Sequence, residues 1–122
     1  MSDQTATSPE ARWRAALGEG RFLLQRDASD GVAYFPPRLA GPKGQKLEWI
    51  EASGRGTVYS ISTIHPRPPQ QPYNVALVDL EEGARMMSRV DGAEADAIAI
   101  GAPVIAQIEK TEEGPQVVFH LA

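Results

Sequence analysis

The sequence predicts a mainly β domain, a five-stranded Greek-key barrel preceded by a short N-terminal helix and a small hairpin, and three features predict it. From residue 47 onward, segments of seven to ten residues rich in Val, Ile, Tyr and Thr recur with glycine, proline or acidic turn signals between most of them. A helical pattern with entry and exit signals is confined to the start of the chain. The length, 122 residues, suits one domain, because a core of this size buries roughly two-thirds of the surface that the unfolded chain exposes.

In chain order, residues 1–7 are small and polar and read as a disordered lead-in. Ser8 is suited to cap a helix whose first turn holds Pro9 and Glu10, since proline lacks the N–H that a first turn cannot use and the macrodipole favours an acid there. Gly18 and Gly20 end it. Trp13, Ala16 and Leu17 share one face, and a helix of about ten residues is marginal in water unless that face docks, either on its own domain or on another subunit. Residues 21–26 (RFLLQR) and 32–35 (VAYF) form two short strands around Asp27-Ala28-Ser29-Asp30-Gly31, a turn composition. Pro36-Pro37 and Gly41-Pro42-Lys43-Gly44 then make a loop, so the chain divides into a tail and helix (1–20), a hairpin unit (21–46) and the barrel (47–122).

The barrel segments read LEWIEAS, GTVYSISTIH, YNVALVDL, ARMMSRV, PVIAQIEK and QVVFHLA. The first two join as one long bent strand, with a bulge at Gly54-Arg55-Gly56 where the sheet turns toward closure. Glu81-Glu82-Gly83 and Thr111-Glu112-Glu113-Gly114 are hairpin turns. Both faces of YNVALVDL are largely apolar, which suits a central strand. DGAEADAIAIGA has the composition for one short helix. Three strands, a short helix and two strands is the order of an OB-fold. Pro66, Pro68, Pro69 and Pro72 make the loop after His65 stiff and extended.

Composition removes several classes of function. Hydrophobic residues make up 42% and charged residues 23%, values of a folding chain and not of a disordered one. No apolar run approaches the roughly 18–20 residues of a membrane span, and the start lacks the basic and apolar stretches of a secretion signal, so a cytoplasmic protein is expected. Twelve basic against sixteen acidic residues give a net charge of −4, which disfavours nucleic acid as a partner. The absence of cysteine excludes disulfides, thiolate nucleophiles and thiolate metal sites. His65 and His120 have no second histidine at ligand spacing, so no metal site is expected.

In its order of segments the chain resembles the acyl-CoA-associated OB-fold proteins, in which a rubredoxin-like zinc ribbon precedes the barrel. The resemblance covers the chain from about Trp13, and its most specific stretches are LEWIEASGRGTVYSISTIH, PYNVALVDLEEGARMMSRV and IGAPV. It sets the four zinc-ligand positions at Asp27, Asp30, Gly41 and Gly44, none of them a cysteine, which implies a degenerate ribbon that has kept its hairpin and lost its metal. Packing of Phe22, Leu24, Tyr34, Phe35 and Trp49, or a partner, must then replace the metal's contribution. The resemblance further implies a non-catalytic accessory subunit in a hetero-oligomer. Its partner would be a thiolase-like, aldolase-like or hydratase-like enzyme acting on acyl-CoA thioesters in a β-oxidation-like route, with the OB protein helping to hold the CoA portion.

For such a nucleotide-like group, or for the partner interface, the candidates are Arg55, Tyr59, His65, Arg67, Tyr73 and Arg85, with Trp13 as a further interface residue. For His65 and for the Gly54-Arg55-Gly56 turn the structural alternative carries more weight, while Arg55 itself stays open. His65 is placed to orient a substrate or act as a base, but a strand-end histidine needs no such role. Gly54-Arg55-Gly56 lacks the spacing and following helix of a phosphate loop. Glu81 and Glu82 suit a solvated hairpin tip better than an acid/base pair, and Ser60 and Ser62 have no base in sequence range. Met86-Met87 and Trp13 read as packing, with one of them at an interface. Arg38, Lys43 and Lys46 read as solvated cations. A single-strand nucleic-acid binder and an independent CoA sensor are the alternatives from other classes, the first set against the acidic balance.

Overall fold

The computed structural model describes residues 8–122, so the expected disordered lead-in lies outside the described residues. The helix α1 spans Pro9–Gly18, and Ser8 caps it by accepting a hydrogen bond from the Ala11 N–H at 3.1 Å. Its apolar face docks on its own chain. Trp13, Ala16 and Leu17 are buried, the Trp13 indole N–H donates to the Leu23 carbonyl at 2.8 Å, and the ring lies against Phe22 and Phe35 at centroid distances of 6.5 and 5.3 Å. Of the two dockings open to this helix the structure shows the one on its own domain, since a large ring with one polar atom gains most where both are satisfied, and this core satisfies both.

The hairpin forms as expected from β1 (Leu23–Arg26) and β2 (Ala33–Tyr34), antiparallel around the 27–31 turn. A third strand joins them. β3 (Glu48–Glu51) pairs with the other edge of β1, fastened by an Arg26–Glu48 ion pair at 2.6 Å, so LEWIE and GTVYSISTIH are two strands in two sheets and not one bent strand. Gly54, with φ of +83°, redirects the chain between them. Hydrogen bonding thus crosses residue 46.

The second sheet contains β4 (Arg55–Ile64), β5 (Tyr73–Leu80), β6 (Arg85–Ser88), β7 (Val90–Asp91), β8 (Pro103–Thr111) and β9 (Gly114–Leu121), in the order β6-β5-β4-β8-β9-β7. Its two outer strands, β6 and β7, are consecutive in the chain and separated by Arg89 alone, whose carbonyl accepts from the Phe119 N–H at 2.9 Å. β7 runs parallel to β9, and the remaining pairings are antiparallel. The bend in β4 lies further along than the glycines suggest. Arg55, Gly56 and Thr57 pair with β8, then the register against β5 slips between Val58 and Ser60, leaving Tyr59 as the extra residue.

β5 is interior, as expected, but its two faces differ. Asn74, Ala76, Val78 and Leu80 are buried, while Val75, Leu77 and Asp79 are half-buried and Tyr73 is exposed. Residues 92–101 form turns and no helix. Gly92 and Gly101 adopt positive φ at either end, and the Ala95 carbonyl accepts from Asn74 and Thr63 side chains in place of a helical N–H. The loop after His65 is not extended throughout, since the Gln70 N–H bonds back to the Arg67 carbonyl at 3.2 Å. One core runs through everything, from Trp13, Leu17 and Leu24 to Val58, Val78 and Phe119.

Candidate functional site

Alternation on β4, β5 and β6 builds an outer sheet face that solvent reaches. Cross-strand pairing sets Ile64 beside Tyr73, Ser62 beside Val75, and Leu77 between Ser60 and Met87. Tyr59, Tyr73 and Met87 are 50%, 48% and 66% exposed, large apolar side chains that solvent reaches. The pair Met86-Met87 divides as strand geometry requires, Met86 into the core and Met87 out.

At one end of this face stand Asp79, Arg85 and Tyr59. Arg85 Nε donates to Asp79 Oδ1 at 2.6 Å, and the guanidinium carbon lies 3.5 Å from the centre of the Tyr59 ring. The proton affinity of Arg85 is raised, first by the Asp79 hydrogen bond and then, against the loss of hydration, by the Asp79 charge. The result is a fixed cation on an aromatic ring.

The other end opens into a cleft of about 400 Å³ lined by His65, Tyr73, Asn74, Arg89, Asp91 and residues of the 92–101 loop. Arg89 does not project freely into it: Nε and Nη2 bond Asp91 at 2.9 Å each, and Nη2 bonds Glu109 at 3.0 Å. The Asp91 hydrogen bond is the main cause of its raised proton affinity. Asn74 is buried and accepts from the Val90 N–H while donating to the Val90 carbonyl, both at 2.9 Å, so the cleft wall is pinned to β5.

Of the residues singled out in the sequence, the structure brings Tyr59 and Arg85 into contact and sets His65 and Tyr73 along one cleft. Arg55 lines a separate groove with Thr57, Asp79 and Glu81, and Arg67 lies in the loop after β4. Trp13 is elsewhere, in the core. Asp79, Arg89 and Asn74 escaped the sequence reading. A signal existed for Asp79, an acid opposite Arg85 across a short hairpin, and for Asn74, a polar residue on an apolar face.

The positions that the zinc-ribbon resemblance singles out do not fit a tetrahedral metal. Gly41 and Gly44 have no side-chain donor, and the Asp27 and Asp30 carboxylates are engaged locally. Asp27 Oδ1 accepts from the Ser29 N–H and hydroxyl at 2.9 and 2.7 Å, and Asp30 Oδ1 accepts from the Val32 N–H at 2.9 Å. No group of three or more His, Asp or Glu side chains placed to hold a metal occurs among the described residues. Nor is any helix among them long and apolar enough to cross a membrane.

Residues 49–109 match the family described as the ChsH2 C-terminal OB-fold domain. A DUF35 domain-containing scaffold protein of Methanocaldococcus jannaschii is 36% identical over 108 residues, 83% of this chain and 77% of that one. A probable enoyl-CoA hydratase alpha subunit of Thermomonospora curvata is 38% identical over 100 residues, but these are 78% of this chain and 31% of that subunit. Among solved structures, a chain of an assembly titled Ltp2-ChsH2(DUF35) aldolase superposes with a TM-score of 0.79 at 34% identity, covering 93% of this chain and 94% of that one.

Proposed function

Because this chain belongs to the DUF35 family of ChsH2-type OB-fold domains, we propose that it is a non-catalytic accessory subunit that binds a thiolase-like enzyme and assists its processing of acyl-CoA thioesters. The partner class comprises thiolases, lipid-transfer-type thiolases and aldolases, and the setting is a β-oxidation-like degradative route. The observation that carries this reading is the near end-to-end similarity to a chain of the Ltp2-ChsH2 aldolase. The Methanocaldococcus jannaschii relative is described as a scaffold protein, which points the same way. Side-chain chemistry agrees with it, because Arg89 and Asp27 are each engaged in bonds within the chain.

The surface that suits a partner is the outer face of β4, β5 and β6. Exposed Tyr59, Ile64, Tyr73 and Met87 supply apolar area, and Arg85 supplies an oriented cation, the residue types that anchor interfaces. Arg55, His65 and Arg67, at the rims of this face, are the groups available to the CoA phosphates or to the partner's acidic residues. No zinc takes part in this reading.

A second reading is favoured by the hydratase alpha subunit of Thermomonospora curvata: the same face would meet an enoyl-CoA hydratase-type subunit. Co-expression of the chain with a thiolase-like and, separately, a hydratase-like subunit distinguishes the two. The expected result is a complex with the thiolase-like subunit that survives size-exclusion chromatography and gains thioester turnover over either component. Turnover by this chain alone would overturn the accessory role, and a complex with the hydratase-like subunit only would select the second reading.

A further inference from the structure

We infer that the Gln45 carboxamide performs, between the two ribbon turns, the cross-linking that a tetrahedral zinc ion performs in a metal-bearing ribbon. One turn carries Asp27 and Asp30, the other Gly41 and Gly44, and Gln45 bonds to both. Its Nε2 donates to Asp27 Oδ2 at 3.1 Å. Its Oε1 accepts from the Lys43 N–H at 2.8 Å, and its backbone carbonyl accepts from the Gly41 N–H at 2.8 Å. The carboxamide therefore joins the first turn to the second through one side chain.

Space sets the clasp, in this rotamer, against any side chain at position 41. A Cβ at Gly41 would overlap the Gln45 carboxamide, contacting its carbon, nitrogen and oxygen atoms. A cysteine at position 41 and a clasped glutamine at 45 are thus alternative occupants of one volume. Backbone conformation is not the reason for the glycine, because Gly41 is absent from the positive-φ glycines while Gly31 and Gly44 are among them. Asp27, only 7% exposed, has both carboxylate oxygens bonded within the ribbon, Oδ1 by Ser29 and Oδ2 by Gln45, which occupies three of its roughly four acceptor sites. A metal would have to compete with these bonds for one carboxylate ligand. Neutral amide bonding instead closes the ribbon without any dependence on metal supply or thiol redox state.

The test is a double-mutant cycle on the full chain with Gly41→Ala and Gln45→Ala, read by thermal unfolding with and without EDTA, together with the zinc content of the wild-type protein. An added methyl at 41 acts by evicting the carboxamide, so each single variant lowers Tm by about 5 °C and the double variant lowers it no further than either alone. Wild-type Tm is unchanged by EDTA and the purified chain holds no stoichiometric zinc. Additive losses in the cycle, a Gln45→Ala variant as stable as wild type, stoichiometric zinc, or a Tm that falls on chelation would each overturn the inference. Should either variant fail to fold, the conservative Gln45→Glu, which removes the amide donor facing Asp27, takes its place, and a Tm equal to wild type then overturns the inference.

Discussion

The Arg85 guanidinium lies 3.5 Å above the centre of the Tyr59 ring while Asp79 holds its Nε at 2.6 Å, so a bulge on one strand and a hairpin on the next two produce a single oriented cation–aromatic unit. Tyr59 is the extra residue of the β4 bulge, between Val58 and Ser60.

On the proposed partner face this unit is an anchor. Arg85→Ala is expected to weaken the complex with the thiolase-like subunit about tenfold by calorimetry, with little change in the Tm of the free chain, since exposed ion pairs add little to stability. Unaltered affinity would remove the unit from the interface.

Gly56 is required where β4 crosses β5. A Cβ there would lie 2.7 Å from Val78 Cγ1 and 2.8 Å from the Asp79 carbonyl oxygen, and the carbonyl belongs to a hydrogen-bonded ladder that cannot retreat. Gly56→Ala is expected to cost about 1–3 kcal/mol in urea unfolding. A neutral result would mean that the sheet gives way more easily than its packing implies.

Asn74 bonds both polar groups of the Val90 backbone from a buried position. Asn74→Leu leaves them unpaired in the core, with an expected loss of about 2–4 kcal/mol and faster amide exchange at Val90. Protection at Val90 equal to wild type would contradict the strut role.

The Asp27 carboxyl is held below its ordinary value of 3.8, first by the Ser29 hydroxyl, then by the Ser29 N–H and Gln45. A depressed folded-state value means that the unfolded chain binds the proton more readily. The associated stability is therefore complete above about pH 4 and is lost as pH falls through the lower folded value. Unfolding midpoints of wild type and Asp27→Asn, followed from pH 7 to pH 2, should converge below pH 4. Parallel curves would show that the Asp27 charge contributes nothing.

Local chemistry carried much of the architecture into the sequence. The Ser8 cap, the Asp-rich and glycine-ended turns and the apolar alternation of β5 each act within a few residues, and each appears where the sequence sets it. The assignment of ligand positions rests on resemblance alone, whereas the absence of cysteine is read directly. The candidate site was only half legible. Residue types such as Tyr59, Tyr73 and Arg85 were recognisable, but not which of them meet.

What the sequence by itself determined is the N-terminal helix, the hairpin, the order of the main strand segments and the lack of thiolate ligands, because propensity, capping and turn chemistry depend on near neighbours. Only the tertiary structure decided that β3 leaves the barrel segment to pair with β1, that Trp13 turns inward, that residues 92–101 stay unwound and that Gln45 fills the volume beside Gly41. These outcomes rest on hydrogen bonds and packing between groups far apart in the chain, where the partner that satisfies a buried donor or fills a space is chosen by the whole fold.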